Sequence, residues 1–272
     1  MAELINSNNF TNKYDWRTAT RTGYDLKMVA LVTMLIDHVG AVLLWRYIVA
    51  SHGYDDVVLM SIYEITRYIG RMAFPIYCFL LVEGFLHTRS VGKYALRLGI
   101  FALISEVPFD LATGGKLWIA EYNNVFFTLL IGLLLLWGIS KIELFYQFWK
   151  EKKLDFFIGT LLALSVAVLL IVPAIFAAEV FLASDYGMGG VLAILAMYMF
   201  RQYPVVGYVM ATILLYIFAG PTQILALVML FPLSKYDGTR GSEQNGRMKY
   251  VFYWFYPVHL LVLGLLCIVL GI

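Results

Sequence analysis

Charged residues are scarce in this sequence. Asp, Glu, Lys and Arg make up 14% of its 272 residues, whereas about 25% is typical of a soluble domain. Apolar residues reach 61%, against about 45–50% in soluble domains. The net charge of +2 is too small to indicate a nucleic-acid partner. This composition predicts a polytopic membrane protein with lipid around it.

Cysteine is also rare. The two cysteines, Cys78 and Cys267, lie in apolar runs, so we expect reduced core residues rather than a disulfide. The sequence contains neither a soluble nucleotide-binding domain nor a Walker motif. This absence argues against primary transport.

Long apolar stretches predict the fold. A membrane-spanning helix needs about 20 mainly apolar residues, and on this basis we predict an all-α helical bundle with about nine (8–10) transmembrane segments. The predicted spans are 26–47, 68–86, 94–112, 124–140, 155–177, 187–200, 204–219, 221–234 and 250–271. A short interfacial helix is predicted at 56–67. We expect one transmembrane domain, 26–272, after a polar cytoplasmic tail, 1–25.

Lysine and arginine alternate between successive connections. They are concentrated in the N-terminal tail and in the loops 87–93, 141–154 and 234–249. Since basic loops stay in the cytoplasm, this alternation predicts a multi-pass protein of the cytoplasmic (inner) cell membrane with its N-terminus inside. Arg46, at the outer end of the first span, is an exception.

An ionisable pair, Asp37 and His38, interrupts the first apolar span. Such residues inside a membrane are functional candidates. Lys27 precedes His38 by 11 positions, about 16 Å along a helix and close to the same face. Imidazole is the usual general base, and a nearby carboxylate can orient it. The alternative is a buried packing network.

Arg71 follows Glu64 and Arg67 at helical spacing. It is a candidate to bind an anion or to pair with Asp37, and the alternative is an interfacial ion pair that anchors the helix. Gly70 and Pro75 are expected to bend the helix here.

Glu106 and Asp110 lie one turn apart, with Pro108 between them. We expect Pro108 to break the helix. Together with Asn123 and Asn124, the two carboxylates are predicted to form a cavity wall, and the alternative is capping at the outer rim.

Three more polar residues lie near predicted helix ends or inside the last span. Asp185 precedes a helix, either as its N-cap or as part of a site. Tyr256 and His259 lie three positions apart on one face of the last span. A second intramembrane histidine facing the cavity of His38 would suggest chemistry, and the alternative is packing.

Six segments together resemble the TraX family, named for the F-pilin acetylation protein of conjugative plasmids. They are LKMVALVTMLIDHVG (26–40), GRMAFPI (70–76), LISEVPFD (103–110), NVFFTL (124–129), SDYG (184–187) and FYPVHL (255–260). The Lys27-to-His38 spacing is also similar to the [Arg/Lys]-x10-His pattern of the wider integral-membrane acyltransferases. The resemblance to these acyltransferases implies that acyl-CoA binds from the cytoplasm and that the acceptor lies at the outer side.

The resemblance implies an acyl-CoA-dependent O- or N-acetyltransferase with His38 as its catalytic residue. Lys27 would bind a phosphate of acetyl-CoA, and His38 would deprotonate an amine or hydroxyl acceptor. Asp37 and Glu106 are the other expected catalytic residues. The oxyanion donor is expected among Asn123, Asn124, Tyr256 and Arg71. Asp110, Asp185 and His259 complete the expected substrate-binding set.

No metal is expected, and the expected partners are membrane lipid, acetyl-CoA and an unidentified envelope, peptide or glycan acceptor. The alternative function is a proton-coupled secondary transporter that uses Asp37, His38 and Glu106 as a relay. The lack of clearly repeated halves counts against it. A non-catalytic envelope scaffold fits the intramembrane ionisable residues least.

Overall fold

The computed structural model describes residues 20–119, 121–151, 156–241 and 248–272. Most of the predicted tail 1–25, and parts of the loops 141–154 and 234–249, lie outside the described residues. In the described ranges the chain is predominantly helical, and its only β-type pairings are two isolated bridges. The predicted all-α membrane bundle is confirmed.

The first helix, α1, runs from Gly23 to Ser51. It begins at a capping box, in which the Thr22 hydroxyl accepts from the Asp25 amide and the Asp25 carboxylate accepts from the Thr22 amide. A π-helical segment, Val39–Leu44, begins directly after His38. Such segments are rare in helices and frequently lie at functional sites.

Helices α2, Val57–Gly70, and α3, Ala73–His87, meet at a short break. The prediction of a boundary at 67–68 was therefore wrong by three residues. Pro75 is the third residue of α3, where a backbone N–H has no intrahelical partner, so the proline costs no hydrogen bond.

Helices α4, Val91–Gly114, and α5, Val125–Glu151, follow. The predicted break at Pro108 was wrong, because α4 continues through it. Neighbouring groups in a bundle can compensate for the hydrogen bond that an internal proline removes. Arg46 donates 2.8 Å hydrogen bonds to the carbonyl groups of Leu111 and Ala112. This contact caps α4 and accounts for the unusual position of Arg46.

The remaining helices are α6 (Phe156–Phe176), α7 (Gly187–Met199), α8 (Pro204–Ala219), α9 (Leu230–Ser234) and α10 (Met248–Leu270). A 3₁₀ helix, Pro221–Met229, precedes α9. The span predicted at 221–234 is therefore mostly 3₁₀ rather than α-helical.

Among the described residues, five helical stretches are long and apolar enough, by length and composition, to cross a membrane. They are Gly23–Ser51, Val57–His87, Val125–Glu151, Phe157–Val180 and Tyr250–Leu270. Shorter apolar helices lie at Gly187–Met199, Pro204–Ala219 and Pro221–Ser234. Only 6% of the most apolar window of Phe157–Val180 is buried by the protein, so α6 is suited to contact lipid.

Helix packing brings distant parts of the chain to the middle of α1. Helix α1 packs on α2 and α3, and α7 packs on α3, α5 and α8. Helix α10 packs on α4 and on the π-helical segment of α1, and it thereby carries His259 to His38.

Cys78 and Cys267 form no disulfide and are fully buried. The prediction that both are reduced core residues is therefore confirmed.

Three of the segments predicted to be cytoplasmic meet at one end of the bundle. The amide of Arg21 donates to the carbonyl of Lys235 at 3.0 Å, and the loop after α3 lines a cavity together with residues 23–27 and 236–240. We call this end the basic end. That it faces the cytoplasm stays a prediction.

Candidate active site

Two imidazole rings meet at the centre of the bundle. Nδ1 of His38 lies 2.6 Å from Nε2 of His259, and the ring planes differ by only 17°. The centroids are 4.9 Å apart, which equals the nitrogen–nitrogen distance plus two ring radii. The two rings therefore meet edge to edge in a common plane, in the geometry of a hydrogen bond. We call them the histidine pair.

Aromatic residues of α10 hold this pair in place. The ring of Phe255 stacks on His259 with centroids 4.7 Å apart, and the Phe255 carbonyl lies 2.6 Å from Nδ1 of His259. The Tyr256 ring lies roughly perpendicular to both imidazoles, with its centroid 5.9 Å from that of His38 and 5.8 Å from that of His259. Tyr256 is therefore the third member of the site.

Asp37 forms an ion pair beside the histidine pair. Its Oδ2 lies 2.8 Å from Nη1 of Arg67, with side chains 17% and 26% exposed. The sequence left two roles open for Arg71, which were anion binding and pairing with Asp37. The structure gives the close ion pair of Asp37 to Arg67 instead, one helical turn before Arg71. The one sequence signal for Arg67 was its spacing of one helical turn from Arg71, which places the two arginines on the same helix face.

Arg71 lies within electrostatic range of Asp37 and Asp185. Its Nε is buried and has no hydrogen-bond partner among the described residues. Asp185, in the loop before α7, accepts a 2.7 Å hydrogen bond from the Tyr122 hydroxyl. Burial raises the pKa of the Asp185 carboxyl, although Tyr122, Arg71 and Arg67 oppose this rise. We call Asp37, Arg67, Arg71, Tyr122 and Asp185 the charged cluster.

Asp185 does not cap α7. The residue that precedes this helix is Tyr186, with a φ of 65° and no capping side-chain bond. Glu179 instead accepts a 2.8 Å hydrogen bond from the Met188 amide. The capping interpretation of Asp185 was therefore wrong, and its carboxylate is directed to Tyr122.

Glu106 and the two asparagines hold the start of α5. Glu106 accepts from both the backbone and the side-chain amide of Asn124. The Asn124 side chain also donates to Ala102 and accepts from the Phe126 amide. The Asn123 side chain donates to the Leu182 carbonyl. These hydrogen bonds join Glu106 to Asn124 rather than to His38.

Asp110 accepts a 2.8 Å hydrogen bond from the amide of Ile119 and fixes the turn after α4. Its other oxygen, Oδ1, is buried without a partner among the described residues, as is Oε1 of Glu106.

Across the residues that the structure describes, no group of three or more His, Cys, Asp and Glu side chains is placed to hold a metal ion.

A cavity of about 640 Å³ opens at the basic end. Its lining includes five cationic residues, Lys27, Arg89, Lys93, Arg97 and Arg240. The lining further inside is mainly apolar and aromatic, with Met34, Phe126, Leu129, Tyr253 and Tyr256. Because Tyr256 touches both the cavity and the histidine pair, the cavity extends from the basic end to the site.

Two of these cationic side chains, Lys27 and Arg97, lie next to aromatic rings. Nζ of Lys27 lies 5.2 Å from the ring centre of Phe252, within cation–π range. Nε of Arg97 is buried without a partner among the described residues, and its guanidinium lies over Tyr94. Sequence reasoning missed Arg97, for which the one signal was its position one turn after Lys93 in an apolar helix.

Comparisons with known proteins identify the family to which the chain is related. A curated relative, the "Probable fimbrial assembly protein FimC, serogroup H1" of Dichelobacter nodosus, is 29% identical, with 89% of this chain and 94% of that protein covered. No solved structure matches the chain. The sequence profile of the family described as "TraX protein" matches residues 22–267. The chain belongs to the TraX family.

Proposed function

We propose that this protein is a membrane-embedded acetyltransferase. It moves an acetyl group from cytoplasmic acetyl-CoA to an amine or hydroxyl acceptor at the outer side of the membrane. One observation carries the proposal: a cavity lined by cationic residues is also lined by aromatic residues, and one of these, Tyr256, contacts both members of the histidine pair.

The cavity suits the donor in charge and size. A volume of about 640 Å³ lies within the range of about 300–1,000 Å³ found for small-molecule sites. The phosphates of CoA would bind at the mouth, to Lys27 and Arg97 with help from Arg89, Lys93 and Arg240. Arg97 is well suited because its buried Nε lacks a partner among the described residues, and guanidinium groups match phosphate geometry.

The thioester would then lie near Met34 and Tyr256, deep in the cavity. Met34 precedes His38 by one helical turn, so the pantetheine arm would run along α1. The cavity lies in the basic end, which fits a donor that enters from the cytoplasm.

The reaction needs one proton carrier. The acceptor's nitrogen or oxygen attacks the thioester carbonyl carbon, while the imidazole of His38 takes the acceptor's proton. The tetrahedral intermediate collapses, the carbon–sulfur bond breaks, and the CoA thiolate receives that proton from His38. Acetylated acceptor and free CoA leave, and the imidazole returns to its neutral form.

Tyr256 is the best-placed donor for the oxyanion of the intermediate. It is the one candidate among Asn123, Asn124, Tyr256 and Arg71 that both lines the cavity and contacts His38. The Asn124 amide group already donates to Ala102 and Glu106. We propose that the Tyr256 hydroxyl donates a hydrogen bond to the oxyanion. The role that we propose for Glu106 is to hold the start of α5 through Asn124.

The acceptor would approach through the charged cluster. Asp37, adjacent to His38 in the chain, is held by Arg67, while Arg71 and Asp185 lie within electrostatic range of it. These charges suit a polar acceptor group. The name of the relative, a fimbrial assembly protein, makes surface-fibre subunits the first acceptors to test.

The test uses the full chain in lipid nanodiscs. Acetyl-CoA labelled on its acetyl group is mixed with an envelope fraction from cells that lack the protein, and label in macromolecules is counted. Transfer by the wild type and its loss in His38→Gln would support the proposal.

A contrary result would be proton-coupled uptake of solute by proteoliposomes without acetyl transfer. That result would favour the transporter alternative. Calorimetry with CoA separates the two functions further, since a transporter of other solutes has no reason to bind CoA at the basic end.

A further inference from the structure

The hydrogen bonds of the histidine pair determine which ring nitrogens carry protons. Nδ1 of His259 lies 2.6 Å from the carbonyl oxygen of Phe255. A carbonyl only accepts, so this nitrogen must carry the hydrogen. A neutral imidazole has one N–H, and Nε2 of His259 is therefore an acceptor.

The same argument extends to His38. Its Nδ1 faces the acceptor Nε2 of His259 at 2.6 Å, so it must be the donor. In a neutral pair, Nε2 of His38 is then left unprotonated, with its lone pair free to take a proton. Both rings are neutral in this arrangement because a charge in the apolar bundle is costly.

We infer that His259 is a positioning residue that selects the tautomer of His38. It holds the proton of His38 on Nδ1 and so presents Nε2 as the base. This inference rests on the proposed function and adds a role for His259 that differs from substrate binding.

The same hydrogen bond also stabilises His38 when it is protonated during the reaction. When Nε2 of His38 takes the acceptor's proton, the ring becomes an imidazolium whose Nδ1–H still donates to neutral His259. A hydrogen bond from a charged donor is stronger than a neutral one, so His259 stabilises the positive charge. The proton on Nδ1 stays there throughout, and the proton on Nε2 passes to the CoA thiolate.

The local structure explains why His259 is suited to this role. Phe255 lies one helical turn before His259, so the imidazole bonds back to a carbonyl of its own helix. The Phe255 ring stacks on one face of the imidazole, and the Tyr256 ring packs against it in a T-shaped arrangement. These contacts fix the ring before any substrate binds.

The first experiment reads the tautomer without any catalysis. The protein, with its four histidines labelled with ¹⁵N, is studied by NMR in nanodiscs, and single variants assign the signals. We expect His38 to show a protonated Nδ1 and an unprotonated Nε2. In His259→Leu we expect that preference to be lost. A wild-type His38 with its proton on Nε2 would overturn the inference.

The second experiment uses kinetics and a conservative rescue. His259→Leu removes the acceptor of the Nδ1–H bond, and we expect kcat to fall about 10- to 100-fold, the range for losing a hydrogen bond to a charged group. The KM for acetyl-CoA should change little. His259→Gln keeps an acceptor oxygen at similar reach and should recover part of kcat.

Full turnover in His259→Leu would refute the positioning role, and so would an equal loss in the leucine and glutamine variants. CoA calorimetry confirms that each variant is folded, and His52→Gln, in the exposed turn after α1, is the control. If the wild type shows the expected tautomer but no acetyl transfer, the proposed function fails while the tautomer assignment stands.

Discussion

The carboxylate of Asp37 occupies the space that a side chain at residue 70 would fill. A Cβ added to Gly70 would overlap Oδ1 and Cγ of Asp37. Because Gly70 is the last residue of α2, this close approach brings α2 against α1 one residue before His38. The glycine is required here by proximity and not by an unusual backbone angle.

Gly70→Ala should therefore displace Asp37 and weaken its ion pair with Arg67. We expect a loss of about 1–3 kcal/mol of stability, as for an added methyl group in a packed core, together with reduced acetyl transfer. Unfolding can be followed with a thiol-reactive dye, since Cys78 and Cys267 are buried in the folded state. The control is Gly92→Ala, where an added Cβ meets nothing within 4 Å. Equal melting temperatures for both variants would contradict the prediction.

Arg67→Gln should leave the Asp37 carboxylate without its partner. Breaking a buried pair costs about 3–5 kcal/mol, and partial exposure of this pair reduces our expectation to about 2–3 kcal/mol. The double variant Asp37→Asn/Arg67→Gln should recover part of that loss, because neither member of the ion pair then carries a charge.

A matched control for Arg67 exists elsewhere in the chain. Arg201 and Glu143 form an ion pair at 3.0 Å with side chains 23% and 33% exposed. Arg201→Gln should cost comparable stability but leave acetyl transfer intact. If both arginine variants lose the same activity, the charged cluster has no special role at the site.

Lys27→Ala and Arg97→Ala should each weaken CoA binding about tenfold, the effect of losing one charge-assisted hydrogen bond. Calorimetry at increasing salt should show that wild-type affinity falls as the phosphate contacts are screened. Lys235→Ala is the control, because Lys235 also lies over an aromatic ring, Phe231, but does not line the cavity. Unchanged, salt-insensitive affinity would remove Lys27 and Arg97 from the donor site.

His38→Gln should abolish acetyl transfer while CoA binding is retained. General-base catalysis is worth about 10²–10⁴-fold, so residual turnover should be small. Asp37→Asn should have a weaker effect, because Asp37 contacts Arg67 rather than the acceptor's proton. Near-normal turnover in His38→Ala or His38→Gln would return the histidine pair to a packing role.

Membrane orientation can be tested with single cysteines. The native thiols are buried, so they contribute little background. Gly92→Cys, at the basic end in an open position, should resist an impermeant thiol reagent applied to intact cells. Tyr54→Cys, in the exposed turn after α1, should react. The reverse pattern would place the N-terminus outside.

The sequence by itself determined the class of structure and the most informative residues. A long apolar run forms a helix because its backbone groups must bond internally in lipid, so composition was sufficient to predict a helical membrane bundle. Isolated ionisable residues in such runs are costly, which is why Asp37, His38 and His259 could be recognised without any coordinates.

Local signals were less reliable where neighbouring helices compensate for them. Pro108 reads as a break, yet α4 continues through it, because the bundle tolerates one missing hydrogen bond. Asp185 reads as an N-cap, yet its carboxylate bonds to Tyr122.

Only the tertiary structure decided the partners. His38 and His259 are 221 positions apart, and no local pattern fixes a 2.6 Å contact between their rings. The pairing of Asp37 with Arg67 rather than Arg71 depended on how α2 packs on α1. The cavity at the basic end required α1, α3, α4, α5 and α10 together. Periodicity assigns a residue to a face of its own helix, whereas the packing of helices determines which residue from another helix meets that face.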